Sequence, residues 1–240
     1  MASLQEMFNQ ALSSFQAGQL EVATGEIERA LSSDPQNPDV LHLAALIAKS
    51  KYHYAKSEEY FRGSLNCSAK QPVVLSNLAN LLKAMGRFTE ANKTYLAAIE
   101  ISPSFSDAWL NRGLLAKEML DWDEAKTCIT QALKIKQEPS AFSSLLQLYL
   151  ETKDVESLVS QSLAFQREYP TLTEGYIYQA KGLVLKADAA GARTVLDEAL
   201  ALVDDKAGIE YALGLHHYDR DNFDVAENYL KQAIDRSPEF

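Results

Sequence analysis

Cysteine is scarce in this chain: Cys67 and Cys128 are the only two among 240 residues. Two thiols so far apart build neither a metal-ligand spacing nor a disulfide framework, which points to a reducing compartment. Histidine is also scarce. His42 stands alone on a helical stretch, His53 falls near a turn, and the adjacent His216 and His217 point about 100° apart on a helix, a poor metal pair. The ten glycines are scattered and form no phosphate-cradling loop. No serine or cysteine has a base partner nearby in sequence to activate it. Acidic clusters such as Asp121, Asp123 and Glu124 open a predicted helix, where they complement its dipole. The residues therefore assign no catalytic group, no metal ligand and no cofactor site, and the chain reads as a non-enzyme.

Long apolar runs and a basic excess are missing too. The longest apolar window, around Leu41 to Ala48, is far too short to span a bilayer. Met1-Ala2-Ser3-Leu4-Gln5-Glu6 has no basic segment followed by an apolar one, so no signal peptide is expected and the expected location is cytoplasmic. Lys and Arg number 23 against 33 Asp and Glu, a net charge of −10, which argues against nucleic acid or an anionic membrane as partner. The charge is uneven: residues 1–138 hold 14 basic and 16 acidic side chains (net −2), residues 139–240 hold 9 and 17 (net −8). That asymmetry is either a solvated acidic surface or a docking field for a basic partner.

What the chain does have is a repeat. A column of mostly small residues returns at Ala23, Ser57, Ala91, Ala125, Leu158, Ala192 and Ala226, at intervals of 34, 34, 34, 33, 34 and 34 residues. Seven residues on, a second column keeps step: Ala30, Ser64, Ala98, Ala132, Phe165, Ala199 and Ala233. Residues seven apart share one helix face, and small side chains there let helices approach closely. Bulk follows at Ile27, Phe61, Tyr95, Ile129, Leu196 and Leu230, with Ser162 the exception, and the preceding helix supplies Leu41, Leu75, Trp109, Phe142 and Tyr176. A fixed period near 34 in a helix-forming sequence predicts an all-α solenoid of stacked helix pairs, one continuous array over 1–240.

The prolines check this. All seven, at 35, 38, 72, 103, 139, 170 and 238, fall at the seams between repeats and none inside a predicted helix. Gly18 and Gly86 occupy the turn within a pair, where positive φ is cheap. Helices are expected at roughly 4–17 and 20–32, 38–51 and 54–68, 72–85 and 88–101, 106–119 and 122–135, 140–152 and 155–168, 173–186 and 189–202, and 207–219 and 223–236.

Repeat three reads Leu75-x2-Leu78-Ala79-x2-Leu82, then Gly86, Phe88, Ala91, Tyr95, Ala98 and Pro103. Repeat four adds Trp109 and Gly113, and repeat seven adds Gly214, Phe223, Ala226 and Pro238. This resembles the tetratricopeptide pattern W-x2-L-G-x2-Y…A-x3-F…P over essentially the whole chain. The resemblance implies a right-handed α-solenoid of seven antiparallel helix pairs, with repeats at about 4–37, 38–71, 72–105, 106–138, 139–172, 173–206 and 207–240. It also implies that the first helix of each pair lines a concave, partner-binding groove. Carried over by column, groove residues are Phe8, Asn9, His42, Leu46 and Lys49 in repeats one and two, and Ser76, Asn77, Asn80, Lys83, Asn111, Leu114 and Lys117 in repeats three and four. Repeats five to seven supply Ser143, Gln147, Glu151, Ile177, Tyr178, Lys181, Tyr211, Leu215 and Tyr218.

Within that set, Lys49, Lys83 and Lys117 form a row spaced by one repeat, suited to carboxylates, while Asn77, Asn80 and Asn111 can bind an extended peptide backbone through their amides. With Lys49, Lys83, Lys117 and the three asparagines, Tyr178, Lys181, Tyr211 and Tyr218 make the expected peptide-binding set. The asparagines resemble the ladder in the tetratricopeptide region of O-linked N-acetylglucosamine transferase; Asn9 fits it and Leu43, Ser144, Tyr178 and Ala212 break it. A carboxylate clamp of the chaperone-adaptor kind is not expected: Ser76, Asn80, Asn111, Ser140 and Ser144 fill its columns and supply no cation.

Two departures from the repeat carry expectations of their own. Repeat five is one residue short and holds Leu158, Ser162 and Phe165 where small, large and small are the rule, so its helices should splay. The last helix, about Phe223 to Arg236, is amphipathic with Phe223, Val225, Leu230 and Ile234, and it is expected to be covered by a further segment, a neighbour or a second copy. Function reads as an interaction scaffold for a protein or peptide. The alternatives are a substrate-recruiting region of a larger bacterial glycosyltransferase, sulfotransferase or oxygenase, and homotypic assembly.

Overall fold

A computed structural model of the protein describes residues 3–238, so Met1, Ala2, Glu239 and Phe240 lie outside the described residues. Among these the chain forms fourteen α-helices and no strand. Unit one holds α1 (Leu4–Gln16), α2 (Leu20–Ser33), α3 (Pro38–Ser50), α4 (Tyr54–Cys67), α5 (Pro72–Ala84), α6 (Phe88–Ile101), α7 (Ser106–Glu118) and α8 (Trp122–Ile135). Unit two holds α9 (Pro139–Glu151), α10 (Val155–Glu168), α11 (Thr173–Leu185), α12 (Ala189–Ala199), α13 (Lys206–Tyr218) and α14 (Phe223–Arg236). These are separate compact units, one ending at Ile135 and the other beginning at Lys136. Each is an all-α solenoid of antiparallel helix pairs.

The helix ends follow from local chemistry. Ser3 and Glu6 form a reciprocal capping box at α1. Asn37 accepts from the amides of Asp39 and Val40 at α3. Pro38, Pro72 and Pro139 each stand in a first turn, where the missing N–H costs nothing. The expected boundaries agree within two residues except at α12, which stops at Ala199 rather than 202. There the chain tightens: the amides of Ala201 and Leu202 donate to the carbonyls of Glu198 and Ala199, three residues back, and Val203 turns into the core.

A second periodicity sits in the backbone. The turn inside each pair holds one left-handed residue: Gly18 and Gly86 at φ 72°, then Tyr52, Leu120, Lys153, Ala187 and Asp221 at φ 57–60°. The turn that sequence reading recognised by glycine in two repeats is thus made in all seven, in five of them by a residue with a Cβ.

Both small-residue columns are in the core; every one of their fourteen members is at most 1% exposed. The two serines are satisfied there, with Ser57 Oγ donating to the Ala45 carbonyl and Ser64 Oγ to that of Pro38, both at 2.8 Å. In α7 the absence of a Cβ at Gly113 admits α8: one built there would lie 2.8 Å from Ile129 Cγ1 and 3.2 Å from the Ala125 carbonyl oxygen.

Repeat five departs as expected. The other pairs of helices pack along their lengths, whereas α9 and α10 meet over a much shorter stretch, and α10 instead lies closely along α11. The reason is an exchange of volume between helices. Phe165 and Leu158 fill the α10 columns, and α11 receives them with glycine: a Cβ at Gly175 would lie 2.7 Å from Phe165 Cδ1, and one at Gly182 would lie 2.7 Å from Val159 Cγ2 and 3.5 Å from Leu158. Ser162, buried beside them, is satisfied within its own helix by the Leu158 carbonyl at 2.7 Å.

Candidate functional site

In each unit the odd-numbered helices touch the odd helix that follows, while even-numbered helices touch no other even one. Each stack is therefore tighter on its odd side, and that side gathers the residues of the first helices onto one surface.

In unit one the odd helices carry His42 and Lys49 on α3, Asn77, Asn80 and Lys83 on α5, and Asn111 and Lys117 on α7. The side chains are unequally available. Asn77 Nδ2 pairs with His42 Nε2 at 3.0 Å, so this amide bridges α3 and α5. Burial lowers the pKa of the His42 imidazole, which favours the neutral form whose Nε2 can accept from that amide. Asn80 Oδ1 accepts from the buried Tyr95 hydroxyl at 2.5 Å, leaving its Nδ2 as the outward group. Asn111 is half-buried, and its amide makes no hydrogen bond among the described residues. Ser76 is buried and drops out of the surface. Lys83 Nζ reaches Glu118 Oε1 of the next pair at 2.9 Å. Lys49 is half-buried without a carboxylate partner among the described residues; burial first, and the Lys83 charge second, lower the pKa of its ammonium. Lys117 is half-buried and engaged with the fold.

In unit two the odd helices carry Tyr178 and Lys181 on α11 and Tyr211 and Tyr218 on α13. Lys181 Nζ lies 5.2 Å from the Tyr178 ring centroid, a cation–π contact. Burial and the charges of Glu151 and Glu174 raise the pKa of the Tyr178 hydroxyl. Tyr218 sits apart, its ring edge-on to Phe223 at 5.6 Å. Lys181 and Tyr211 line a cleft of about 240 Å³ between α11 and α13 whose walls include Ile177, Val184, Leu196 and Leu215. Ile177 and Leu215 were expected in the groove. Val184, Leu196 and Arg220 were not, because column matching ranks positions by repeat register and gives no weight to a single exposed valine or to an arginine just past the helix end. His216 and His217 are buried: His216 lines this cleft, and His217 stacks on Tyr229 at 5.7 Å and 11° with neither ring nitrogen hydrogen-bonded among the described residues. No cluster of three or more metal-binding side chains occurs among the described residues, and no helix there is long and apolar enough to cross a membrane.

On α14, Leu230 is half-buried, while Phe223, Val225 and Ile234 stand exposed.

Comparison with known proteins agrees with the repeat. Tetratricopeptide repeat profiles match residues 73–105 and 106–139, and a second such profile matches 211–240. The chain is 26% identical over 110 residues, 43% of its length, to the probable UDP-N-acetylglucosamine–peptide N-acetylglucosaminyltransferase SPINDLY of Hordeum vulgare, of which it spans 12%. It is 24% identical over 142 residues, 58% of its length, to the type IV pilus assembly protein PilF of Pseudomonas aeruginosa, spanning 56% of that protein. The chain thus spans little of the first of these curated relatives and little over half of the second. Among solved structures, the C-terminal part of a tetratricopeptide-containing protein from Cytophaga hutchinsonii superposes with a TM-score of 0.74 at 14% identity, covering 97% of this chain and 96% of that one. Tetratricopeptide repeats are thus present in this chain at residues 73–139 and 211–240, and the fourteen helices of its described residues fit about seven tandem repeats.

Proposed function

We propose that the chain is a cytoplasmic interaction scaffold that takes an extended peptide or a partner helix on its odd-helix faces and performs no chemistry itself. The observation that carries this reading is the uneven satisfaction of that surface in unit one. Asn77 and Asn80 are held by partners in the fold, whereas the Asn111 amide and the Lys49 ammonium are half-buried without such partners. Half-buried polar groups are costly when unpaired, so a ligand carbonyl or carboxylate there recovers that cost. Proteins named for assembly, such as PilF, supply a relative of that class.

The test is capture from native cytosol by the immobilised chain, followed by mass spectrometry. Lys49→Glu combined with Asn111→Ala should abolish capture of the specific partner while leaving the far-UV CD spectrum unchanged. Undiminished capture would place the site on the even-helix side or in the loops. A second reading rests on the likeness to a probable glycosyltransferase of which this chain spans 12%: the repeats would recruit substrate for an enzyme domain. A reading frame continuing into such a domain would establish it.

A further inference from the structure

Unit two offers a sharper site than its columns suggest. The cleft between α11 and α13 is walled by Ile177, Val184, Leu215 and Tyr211, and the last three remain 41–43% exposed, so apolar surface lines an open depression. Two cations stand at it, Lys181 and Arg220. Lys181 is held over the Tyr178 ring and has no carboxylate partner among the described residues. Arg220 Nη1 donates to the His216 carbonyl at 2.8 Å, and it too has no carboxylate partner there. Asp219 is the one acidic side chain lining the cleft.

The surrounding part of the chain is acidic. Residues 139–240 hold 17 acidic against 9 basic side chains. Of those bases, Lys186, Arg193, Lys231 and Arg236 are paired with Glu156, Asp197, Glu227 and Glu210, and of the five with no such pair among the described residues, Lys181 and Arg220 stand together at this cleft while Lys153, Arg167 and Lys206 lie outside it. Two cations without an ion-pair partner thus stand together at an apolar cleft inside a unit of net negative charge, and an acidic ligand is favoured there over the rest of that unit's acidic surface.

We infer that the α11–α13 cleft binds a peptide segment in which a large aliphatic or aromatic side chain enters the cleft while neighbouring aspartate or glutamate side chains engage Lys181 and Arg220. The inference rests on the reading of the odd-helix side as the interaction surface, and gives it a ligand class. Anchoring by a buried apolar side chain with charge-assisted hydrogen bonds at the rim is the ordinary division of labour in such sites.

The test uses the full chain and fluorescein-labelled, C-terminally amidated peptides read by fluorescence anisotropy. One peptide interleaves leucine and phenylalanine with aspartate, a second replaces aspartate by asparagine, a third replaces it by lysine, and a fourth replaces the apolar residues by serine. The acidic–apolar peptide should bind about tenfold or more tightly than the other three, with affinity falling as salt rises. Val184→Asp should abolish its binding, and Lys181→Glu should shift preference toward the lysine peptide; both positions are exposed, and CD confirms the fold. Equal or tighter binding of the asparagine or lysine peptide to the wild-type chain would overturn this inference and leave the interaction surface standing. Binding unaffected by either substitution would move the site off this cleft. No binding by any peptide, with capture of a cytosolic partner retained, overturns the inference alone; loss of both overturns the underlying reading as well.

Discussion

Replacing Gly175 by alanine places one methyl group against the tightest helix contact of repeat five. The new Cβ would stand 2.7 Å from Phe165 Cδ1 and 2.9 Å from Gln166 Cγ. Gln166 is half-buried and can swing aside; Phe165 is fully buried, edge-on to Phe142 at 5.5 Å, and cannot. Overpacking of this kind costs about 1–3 kcal/mol. Alanine recovers about 0.5–1 kcal/mol of that through its better helix propensity. A net destabilisation of about 1–2 kcal/mol is expected. In a Phe165→Ala background, itself costly by about 3–5 kcal/mol, the obstructing ring is gone, so the same substitution should be neutral or stabilising. The two changes must therefore be non-additive by about 1–3 kcal/mol. Trp109 and Trp122 are the only tryptophans and both belong to unit one, so their fluorescence does not report this contact. Native-state hydrogen exchange of α10 and α11 amides does. An unchanged protection pattern in Gly175→Ala, or the same cost in both backgrounds, would refute the volume exchange between α10 and α11.

Other expectations follow from single features. Leu120 and Ala187 hold left-handed backbone, so Leu120→Gly and Ala187→Gly should each stabilise by up to about 1 kcal/mol in thermal melts, while Gly86→Ala should destabilise by a similar amount. Burial first, and the Glu124 hydrogen bond second, push the Cys128 thiol up to about 12, so at pH 8 iodoacetamide should label the exposed Cys67 rapidly and leave Cys128 untouched until the unit unfolds. His216 and His217 have pKa values held down by burial, with Arg193 and Arg220 adding to it and Asp197 and Asp219 opposing it. A depressed histidine pKa means the unfolded chain binds more protons, so the stability of unit two should fall as pH drops below about 6.5. His217→Phe should reduce that dependence, since neither ring nitrogen has a partner and the stack on Tyr229 survives.

The fold was legible because the two small columns are a packing constraint repeated seven times: each position must be small for helices to approach, and the structure buries all fourteen. Repeat five was legible as an exception, since Leu158 and Phe165 break the rule, but not in its outcome. Nothing in the columns says that Gly175 and Gly182, two turns apart on α11, receive the displaced bulk, because glycine in a helix has several meanings. The left-handed turns at Tyr52, Leu120, Lys153, Ala187 and Asp221 were invisible for a related reason: backbone geometry imposed by helix packing overrides residue preference. For the candidate surface, register located the side chains but not their partners. Asn77 and Asn80 read like Asn111 in sequence, and only the positions of His42 and Tyr95 across the helix interface distinguish them.

Photo-crosslinking in a native cell extract tests the central claim most directly. Benzoylphenylalanine is placed at Leu114 and Leu215 on odd helices, and at the exposed Glu100 and Glu198 on even ones. The account predicts a discrete partner adduct from the odd positions and none from the even positions. Adducts from Glu100 and Glu198 alone would contradict it.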